Sequence, residues 1–232
     1  MNQLYQDRID AGRRLASLLL HYRDRNDVIV LGLPRGGIPV GYEIAQVLHA
    51  PLDAMLVRKL GHPMQPEFAI GAIASGGIRV MNENVESRVD PTTISQVERA
   101  EREELLRRQQ AYRGTRPFPS LLGKTVILVD DGLATGSTMK AAIHATRVQK
   151  PARLVVAVPV APPNSLDELR ALADEVVCPM NPRDFYAIGQ FYESFLPTSD
   201  ERVKRLLDAG RSDDAGRPDD AEYPQTTNRP ST

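Results

Sequence analysis

The sequence lacks the features of a secreted, disulfide-stabilised or membrane-spanning protein. Cys178 is the one cysteine among its 232 residues, so no intrachain disulfide can form, and the apolar setting EVVCPM predicts a small core residue rather than a nucleophile. No stretch approaches the roughly 18 apolar residues of a membrane span, and the amino terminus MNQLYQDRID has no signal-peptide pattern. We therefore expect a cytoplasmic protein.

Patterns for binding metals and nucleic acids are also missing. The formal net charge is −1 and the basic residues are spread along the chain, which is not the footprint of a nucleic-acid-binding protein. The Walker motif GxxxxGKS/T and the dinucleotide fingerprint GxGxxG are absent. The histidines show no metal-ligand spacing, so we expect a metal only if a ligand brings it. They are His21, His49, His62 and His144.

The most informative stretch is VILVDDGLATGSTMKAA, from 126 to 142. Its run VILV is typical of a strand buried on both faces of a parallel sheet. Asp130 and Asp131 follow at the carboxyl end of that strand, which is where open α/β sheets bind their ligands. A small, hydroxyl-rich turn containing Gly136 then leads into a helical pattern, and the free N–H groups at a helix start can cradle a phosphate.

This spacing indicates one ligand with two polar ends. A phosphate would bind the turn from Thr135 to Thr138, and a vicinal diol would donate hydrogen bonds to the two aspartates. A ribose 5-phosphate has that shape. The alternative is an ordinary strand, turn and capped helix, in which Ser137 or Thr135 is the cap and the aspartates are solvated.

The run VILVDDGLATGST resembles the phosphoribosyl pyrophosphate (PRPP) binding motif of type I phosphoribosyltransferases, particularly that of the adenine enzymes. The resemblance implies that Asp130 and Asp131 hold the 2- and 3-hydroxyls of the ribose, with Mg²⁺ arriving on PRPP and lying near them. It also implies that a set of turn residues wraps the 5-phosphate: Ala134, Thr135, Gly136, Ser137 and Thr138. Hypoxanthine-guanine enzymes carry an aspartate at the position of Ala134, so a purine-protonating acid is absent there.

Two further predicted strand ends carry cations. The strand VIVLGL ends in LPRGGIPVG, where an arginine precedes two glycines that free the backbone, and the strand LDAMLV is predicted to end at a basic pair. The resemblance assigns both to pyrophosphate, through Arg35, Gly36, Gly37, Arg58 and Lys59. The alternatives are a tight turn with an exposed arginine and a solvated basic pair.

The segment from about 61 to 118 is predicted to be an insertion. Alternating stretches around Ser75 predict a β-hairpin, and residues 92–113 predict a charged surface helix. Type I enzymes insert a mobile loop at this point, and the resemblance makes Glu67 a candidate acid/base or orienting carboxylate. The alternative for Glu67 is a solvated turn residue.

The alternation of strands and helices predicts an α/β fold with a doubly wound, mainly parallel sheet flanked by helices. This is the type I phosphoribosyltransferase fold, although the hydrophobic runs alone would also fit a flavodoxin-like sheet. We predict one domain over residues 1–208, with a small C-terminal hood at about 180–198. Residues 209–232 contain no Ile, Leu, Val or Phe and are predicted to be disordered.

The predicted hood is rich in aromatic residues. Its string DFYAIGQFY resembles the FVVGY-like string of hypoxanthine-guanine enzymes, which implies that Phe185 or Tyr186 stacks on the acceptor base. The alternative is that the aromatic side chains are core residues that anchor the final helix, DERVKRLL, to the sheet.

Together these observations predict an enzyme that transfers the 5-phosphoribosyl group of PRPP to a nitrogenous base, such as a nucleobase, with release of pyrophosphate. We also expect a homodimer. The alternative is a PRPP- or nucleotide-binding regulatory protein that keeps the fold without the transfer activity. A sugar-phosphate hydrolase or kinase would need a nucleophile or an ATP motif that the sequence lacks.

Overall fold

A computed structural model describes residues 4–62, 65–82 and 89–210, with side chains for all of these except 65–69. Its helices are α1 (Arg8–Leu18), α2 (Gly37–Leu48), α3 (Pro91–Arg113), α4 (Ser137–Val148), α5 (Pro163–Arg170) and α6 (Asp200–Ala209). Its strands are β1 (Val28–Gly32), β2 (Leu52–Ala54), β3 (Val57–His62), β4 (Gln65–Ala74), β5 (Ile78–Met81), β6 (Thr125–Val129), β7 (Arg153–Ala157) and β8 (Glu175–Val177).

Parallel strands form the central sheet in the order β2-β1-β6-β7-β8. Every residue of β1 and of β6 is buried, because helices cover both faces of the sheet. Helices α1, α2 and α6 contribute side chains to the core on one face, and α4 and α5 contribute to the core on the other. The predicted doubly wound, mainly parallel sheet is confirmed.

The carboxyl ends of β1 and β6 lie side by side at the centre of this sheet. Gly32 is in register with Val129, and the N–H of Leu33 donates to the Val129 carbonyl at 2.8 Å. The strand order reverses between β1 and β6, since β2 lies on one side of β1 and the later strands lie on the other. Open α/β sheets bind their ligands at such a reversal, so this edge is where a site is expected.

The chain leaves the central sheet earlier than the sequence predicts. The segment LDAMLV forms only the short β2, after which β3 pairs antiparallel with β4, and β4 with β5. Leu56 is held at this departure by buried Ser75, whose N–H donates to the Leu56 carbonyl at 2.9 Å and whose Oγ accepts from the Leu56 N–H at 3.1 Å. Arg58 and Lys59 therefore lie inside β3, and the prediction that they stand together at a strand end is wrong.

The insertion contains the predicted hairpin and helix. Gly76 and Gly77 turn the chain between β4 and β5 with φ of 82° and 73°, values that a residue with a side chain rarely adopts. Helix α3 begins after Asp90, whose Oδ2 accepts from the N–H of Thr93 at 2.9 Å. It is more than a surface helix, because Leu105 and Tyr112 on one side of it are buried in the main core.

The aromatic segment packs against the amino-terminal segment. The N–H of Tyr5 donates to the Phe191 carbonyl at 2.9 Å, and the Tyr5 hydroxyl donates to the Pro159 carbonyl at 3.0 Å. These contacts centre on a hydrophobic cluster formed by Tyr5, Ala11, Val160, Met180, Phe185, Ile188, Phe191, Tyr192 and Phe195. Helix α6 packs instead into the main core through Val203 and Leu207. The alternative is thus confirmed in part: Phe191 and Tyr192 are core residues, but their cluster contains no residue of the final helix.

The last described residues continue the folded domain. Helix α6 ends at Ala209, and the Gly210 carbonyl accepts from the N–H of Leu52 at 3.2 Å. The remainder of the predicted tail, 211–232, lies outside the described residues. Across the three described ranges, no helix has both the length and the apolar character needed to cross a membrane.

Candidate active site

An acidic pair lies at the carboxyl end of β6. Asp130 and Asp131 follow the buried strand directly, and Asp131 is only 8% exposed. The Asp130 side chain turns back so that its Oδ1 accepts from the N–H of Asp131 at 2.9 Å. Burial, and then the neighbouring Asp131 carboxylate, raise the pKa of Asp130 well above its usual range.

Arg8, the first residue of α1, holds the second carboxylate. Its Nε and Nη2 both donate to Oδ2 of Asp131, at 2.8 and 2.7 Å. The backbone of Asp131 is fixed as well, because the Tyr192 hydroxyl donates to its carbonyl at 2.6 Å. The sequence patterns did not point to Arg8 or Tyr192 as residues of the site. No local pattern could reveal the Arg8 contact, since Asp131 is 123 positions further along the chain.

These contacts leave one oxygen of each carboxylate open. Asp130 uses Oδ1 for the neighbouring N–H, and Asp131 uses Oδ2 for Arg8. Within the described residues, no other residue donates a hydrogen bond to Oδ2 of Asp130 or to Oδ1 of Asp131, although the two carboxyl side chains lie within hydrogen-bond reach of each other. The pair can therefore accept two hydrogen bonds from a ligand.

Two glycines after β1 let the neighbouring turn approach the acidic pair. A Cβ added to Gly36 would lie 1.9 Å from Oδ2 of Asp131, and one added to Gly37 would lie 2.4 Å from the Val129 carbonyl oxygen. The Gly37 N–H is already bonded to the Leu33 carbonyl at 2.9 Å, so Gly37 serves the close approach rather than ligand binding. The peptide between Pro34 and Arg35 is cis.

The turn from Ala134 to Thr138 has the form of an anion cradle. Gly136 takes the left-handed conformation, with φ of 66°, immediately before α4 begins at Ser137. In the described part of the chain, the N–H groups of Thr135, Gly136 and Thr138 make no hydrogen bond. The cap position is Gly136, which has no side chain, so the alternative in which Ser137 or Thr135 occupies it is not what the structure shows. Free N–H groups at a helix start favour an anion.

The three predicted pyrophosphate cations have different surroundings. The Arg35 side chain is 54% exposed and its Nη1 lies 3.9 Å from a carboxylate oxygen of Asp200 at the start of α6. Arg58 forms an ion pair with Glu101 of α3, with both Nε and Nη2 at 2.6 Å from Oε2. Lys59 is exposed and, as the next residue of the strand, points to the opposite face from Arg58.

Comparison with known proteins identifies the family. Residues 1–194 match the model of the phosphoribosyl transferase domain. The chain belongs to this family. The motif in β6 and its turn therefore indicated the right family.

Two relatives of this phosphoribosyltransferase chain come from Mycobacterium tuberculosis: MT0597 of strain CDC 1551 / Oshkosh and Rv0571c of strain H37Rv, whose names as phosphoribosyl transferases are provisional. Each is 45% identical over 213 residues, which is 91% of this chain and 48% of the relative. The chain thus spans about half the length of these curated relatives. The crystal structure of TT1426 from Thermus thermophilus is 41% identical, with a TM-score of 0.81 over 88% of this chain and 98% of that one.

The two predicted base-binding residues of this phosphoribosyltransferase chain have different surroundings. Phe185 is half-buried against Phe191, with 5.3 Å between ring centroids, whereas Tyr186 is 90% exposed. The segment that carries them reaches the residue directly after the acidic pair, because a Cβ added to Gly132 would lie 2.6 Å from Cγ2 of Ile188. The backbone of Glu67 belongs to β4, and its side chain lies outside the described residues.

Proposed function

We propose that this chain transfers the 5-phosphoribosyl group of PRPP to a nitrogenous base and releases pyrophosphate. The observation that supports this best is the pair of open oxygens on Asp130 and Asp131, followed by a turn with three N–H groups that are unbonded among the described residues. A ribose 5-phosphate is complementary to both, since its diol donates hydrogen bonds and its phosphate accepts them. The chain spans about half the length of its curated relatives, so the activity of the whole protein is proposed here from this site.

The proposed reaction needs little covalent help from the protein. The bond from C1 of the ribose to the pyrophosphate oxygen breaks, its electron pair leaves with pyrophosphate, and the acceptor nitrogen supplies the pair for the new bond to C1. Negative charge grows on the leaving group and positive charge on the ribose, so positioned charges and dipoles carry the rate. We assign Arg35, the Gly36 N–H and Lys59 to the leaving group and the acidic pair to the ribose.

Arg58 can join the pyrophosphate site only by leaving Glu101. Its two nitrogens share one carboxylate oxygen on α3, and its side chain is 29% exposed. A partly exposed pair of this kind is worth about 1 kcal/mol or less, so an anion with two phosphates could replace Glu101. We therefore keep Arg58 as a predicted pyrophosphate ligand that changes partner when PRPP binds.

Mg²⁺ fits the site as a companion of PRPP. Magnesium prefers oxygen ligands and commonly binds through one or two carboxylates together with substrate phosphates. Asp130 and Asp131 each offer one open oxygen, and no cluster of three or more metal-binding side chains exists among the described residues. When bound, the ion would neutralise charge that develops on pyrophosphate.

We place the acceptor base against the hood. Tyr186 exposes most of its ring and is the better candidate for stacking on a flat base, whereas Phe185 already packs on Phe191. Glu67 stays a predicted acid/base, and Glu67→Gln should lower turnover about 100-fold if it has that role. A homodimer and a cytoplasmic location also stay predictions from the sequence.

The test is PRPP binding followed by turnover. Calorimetry with Mg²⁺ and PRPP should show binding that is weakened by Asp130→Asn and Asp131→Asn together, because a hydrogen bond to a charged acceptor, such as Asp131 in its pair with Arg8, is worth about 1.5 to 3 kcal/mol. Asp24→Asn is the matched control, since Asp24 is an exposed aspartate on a turn. Unchanged affinity in the folded double variant would refute the assignment. A panel of nitrogenous bases, assayed for pyrophosphate release, then identifies the acceptor.

The second candidate is a PRPP- or nucleotide-binding regulator. One observation favours it: Arg58 is held by Glu101, so a predicted pyrophosphate ligand is already paired. The same panel separates the two, because a regulator would bind PRPP or a nucleotide and release no pyrophosphate with any base. If Glu101→Gln created turnover in an otherwise inactive protein, the pair would be the reason for the inactivity.

A further inference from the structure

Arg8 connects three parts of the molecule that the sequence keeps far apart. From α1, its guanidinium donates twice to Oδ2 of Asp131 after β6 and once, through Nη1, to the Leu196 carbonyl at 2.7 Å. It also lies over the Phe195 ring of the hood, with its central carbon 3.9 Å from the centre of that ring. Its side chain is 11% exposed and that of Asp131 is 12% exposed, so the pair is largely removed from water.

The position of the Arg8 guanidinium determines which carboxylate oxygen of Asp131 is available to a ligand. Both donated hydrogen bonds reach the same oxygen, Oδ2, which also faces Gly36, and Oδ1 is left open. An arginine holds two donors in a fixed plane, which a lysine cannot do. A free carboxylate would rotate about its bond to Cβ and would also be repelled by Asp130.

We propose that Arg8 is a positioning residue, which fixes the open oxygen of Asp131 toward the ribose hydroxyls and ties that carboxylate to the hood. The inference rests on the proposed function, since it assumes that the acidic pair receives a ribose diol. Arg8 touches no substrate in this arrangement and acts through Asp131. The hood contact gives it a second consequence: a displacement of the segment around Phe195 and Leu196 is transmitted to the ribose end of the site.

The experiment measures discrimination rather than affinity alone. Ribose 5-phosphate and 2-deoxyribose 5-phosphate have the same phosphate and differ in one of the hydroxyls assigned to the acidic pair. The wild type should prefer ribose 5-phosphate about tenfold or more, because a hydrogen bond to a charged acceptor gives at least that factor. In Arg8→Met, the dissociation constants of ribose 5-phosphate and 2-deoxyribose 5-phosphate should differ by no more than about threefold. A purely structural role would weaken both ligands equally and leave the ratio unchanged.

Two further variants complete the design. Arg8→Lys keeps the positive charge but loses the two coplanar donors, so the ratio of the two dissociation constants should fall at least about threefold. This variant also tests the inference if Arg8→Met does not fold. Arg13→Met is the matched control, because Arg13 lies on the same helix and pairs with Glu43 at 2.9 Å, away from the acidic pair. It should keep the wild-type ratio.

The outcomes are separable. Wild-type discrimination in folded Arg8→Met, or in Arg8→Lys, would overturn the inference while leaving the proposed function intact. A wild type that binds ribose 5-phosphate without preferring it would also overturn the inference, since the diol would then not be read by the acidic pair. A wild type that binds neither sugar phosphate nor PRPP would refute the proposed function, and the role of Arg8 with it.

Discussion

Replacing Gly36 by alanine tests the geometry of the site with a single methyl group. The backbone of Gly36 is ordinary, with φ of −66° and ψ of −32°, so alanine meets no conformational strain there. Its Cβ would, however, lie 1.9 Å from Oδ2 and 2.3 Å from Cγ of Asp131. Since an ordinary contact begins near 3.4 Å, one of the two groups must move by about 1.5 Å, the difference between 3.4 and 1.9 Å.

The carboxylate cannot retreat at low cost. Arg8 holds Oδ2 with two hydrogen bonds, and Tyr192 holds the Asp131 carbonyl. Moving Asp131 also disturbs Asp130, which accepts the Asp131 N–H. We expect PRPP to bind about 10- to 100-fold more weakly, which corresponds to one or two charge-assisted hydrogen bonds at about 1.5 kcal/mol each. Overpacking should lower the free energy of unfolding by about 1 to 3 kcal/mol.

Gly41→Ala is the matched control, measured beside Gly36→Ala by PRPP calorimetry and urea unfolding. Gly41 lies within α2, and an added Cβ would approach Cδ1 of Leu52 to 3.3 Å, which is the end of a side chain that can yield. Alanine should stabilise a helix interior by up to about 1 kcal/mol and leave PRPP binding unchanged. A Gly36→Ala protein that binds PRPP within about threefold of the wild type would refute the close approach of this turn to Asp131.

Three further predictions concern charge and burial. The raised pKa of Asp130 means that, above the ordinary carboxyl pKa, the folded chain retains a proton that the unfolded chain has released. The free energy of unfolding should therefore fall as pH rises through that interval. In urea titrations, Asp130→Asn should show a smaller dependence of the free energy of unfolding on pH and should be more stable than the wild type at neutral pH. The same pH dependence in both proteins would contradict this. Arg113→Met should lower the free energy of unfolding by about 3 to 5 kcal/mol, because it removes the arginine that pairs with buried Asp53. Adding Asp53→Asn should restore part of the lost free energy. A loss below about 1 kcal/mol in Arg113→Met would be contrary evidence. Burial raises the pKa of the Cys178 thiol to about 11. Iodoacetamide at about pH 8 should therefore alkylate Cys178 only after unfolding, which mass spectrometry would detect. Rapid labelling of the folded protein would count against this prediction.

Much of the fold follows from local patterns in the sequence. Runs such as VIVLG and VILV have no polar side chain to face water, and β1 and β6 are accordingly buried at every residue. The turn after β6 was also predictable, because Gly136 and the small residues around it are what a chain needs to enter a helix beside an anion. The position of Arg58 inside β3 was not predictable in this way, because the departure of the chain from the central sheet depends on Ser75, which lies in the turn after β4.

The sequence by itself thus determined the sheet, the acidic pair and the turn that we propose binds phosphate, since each depends on neighbours within a few residues. Only the tertiary structure decided which oxygen of Asp131 is open, because Arg8 reaches Oδ2 from α1, and only it fixed the Asp131 carbonyl, through the Tyr192 hydroxyl. It also placed Arg58 and Lys59 on opposite faces of β3 and gave Arg58 a carboxylate partner on α3. Burial and pairing of charges are properties of the folded surroundings, and a motif contains no information on what will pack against it.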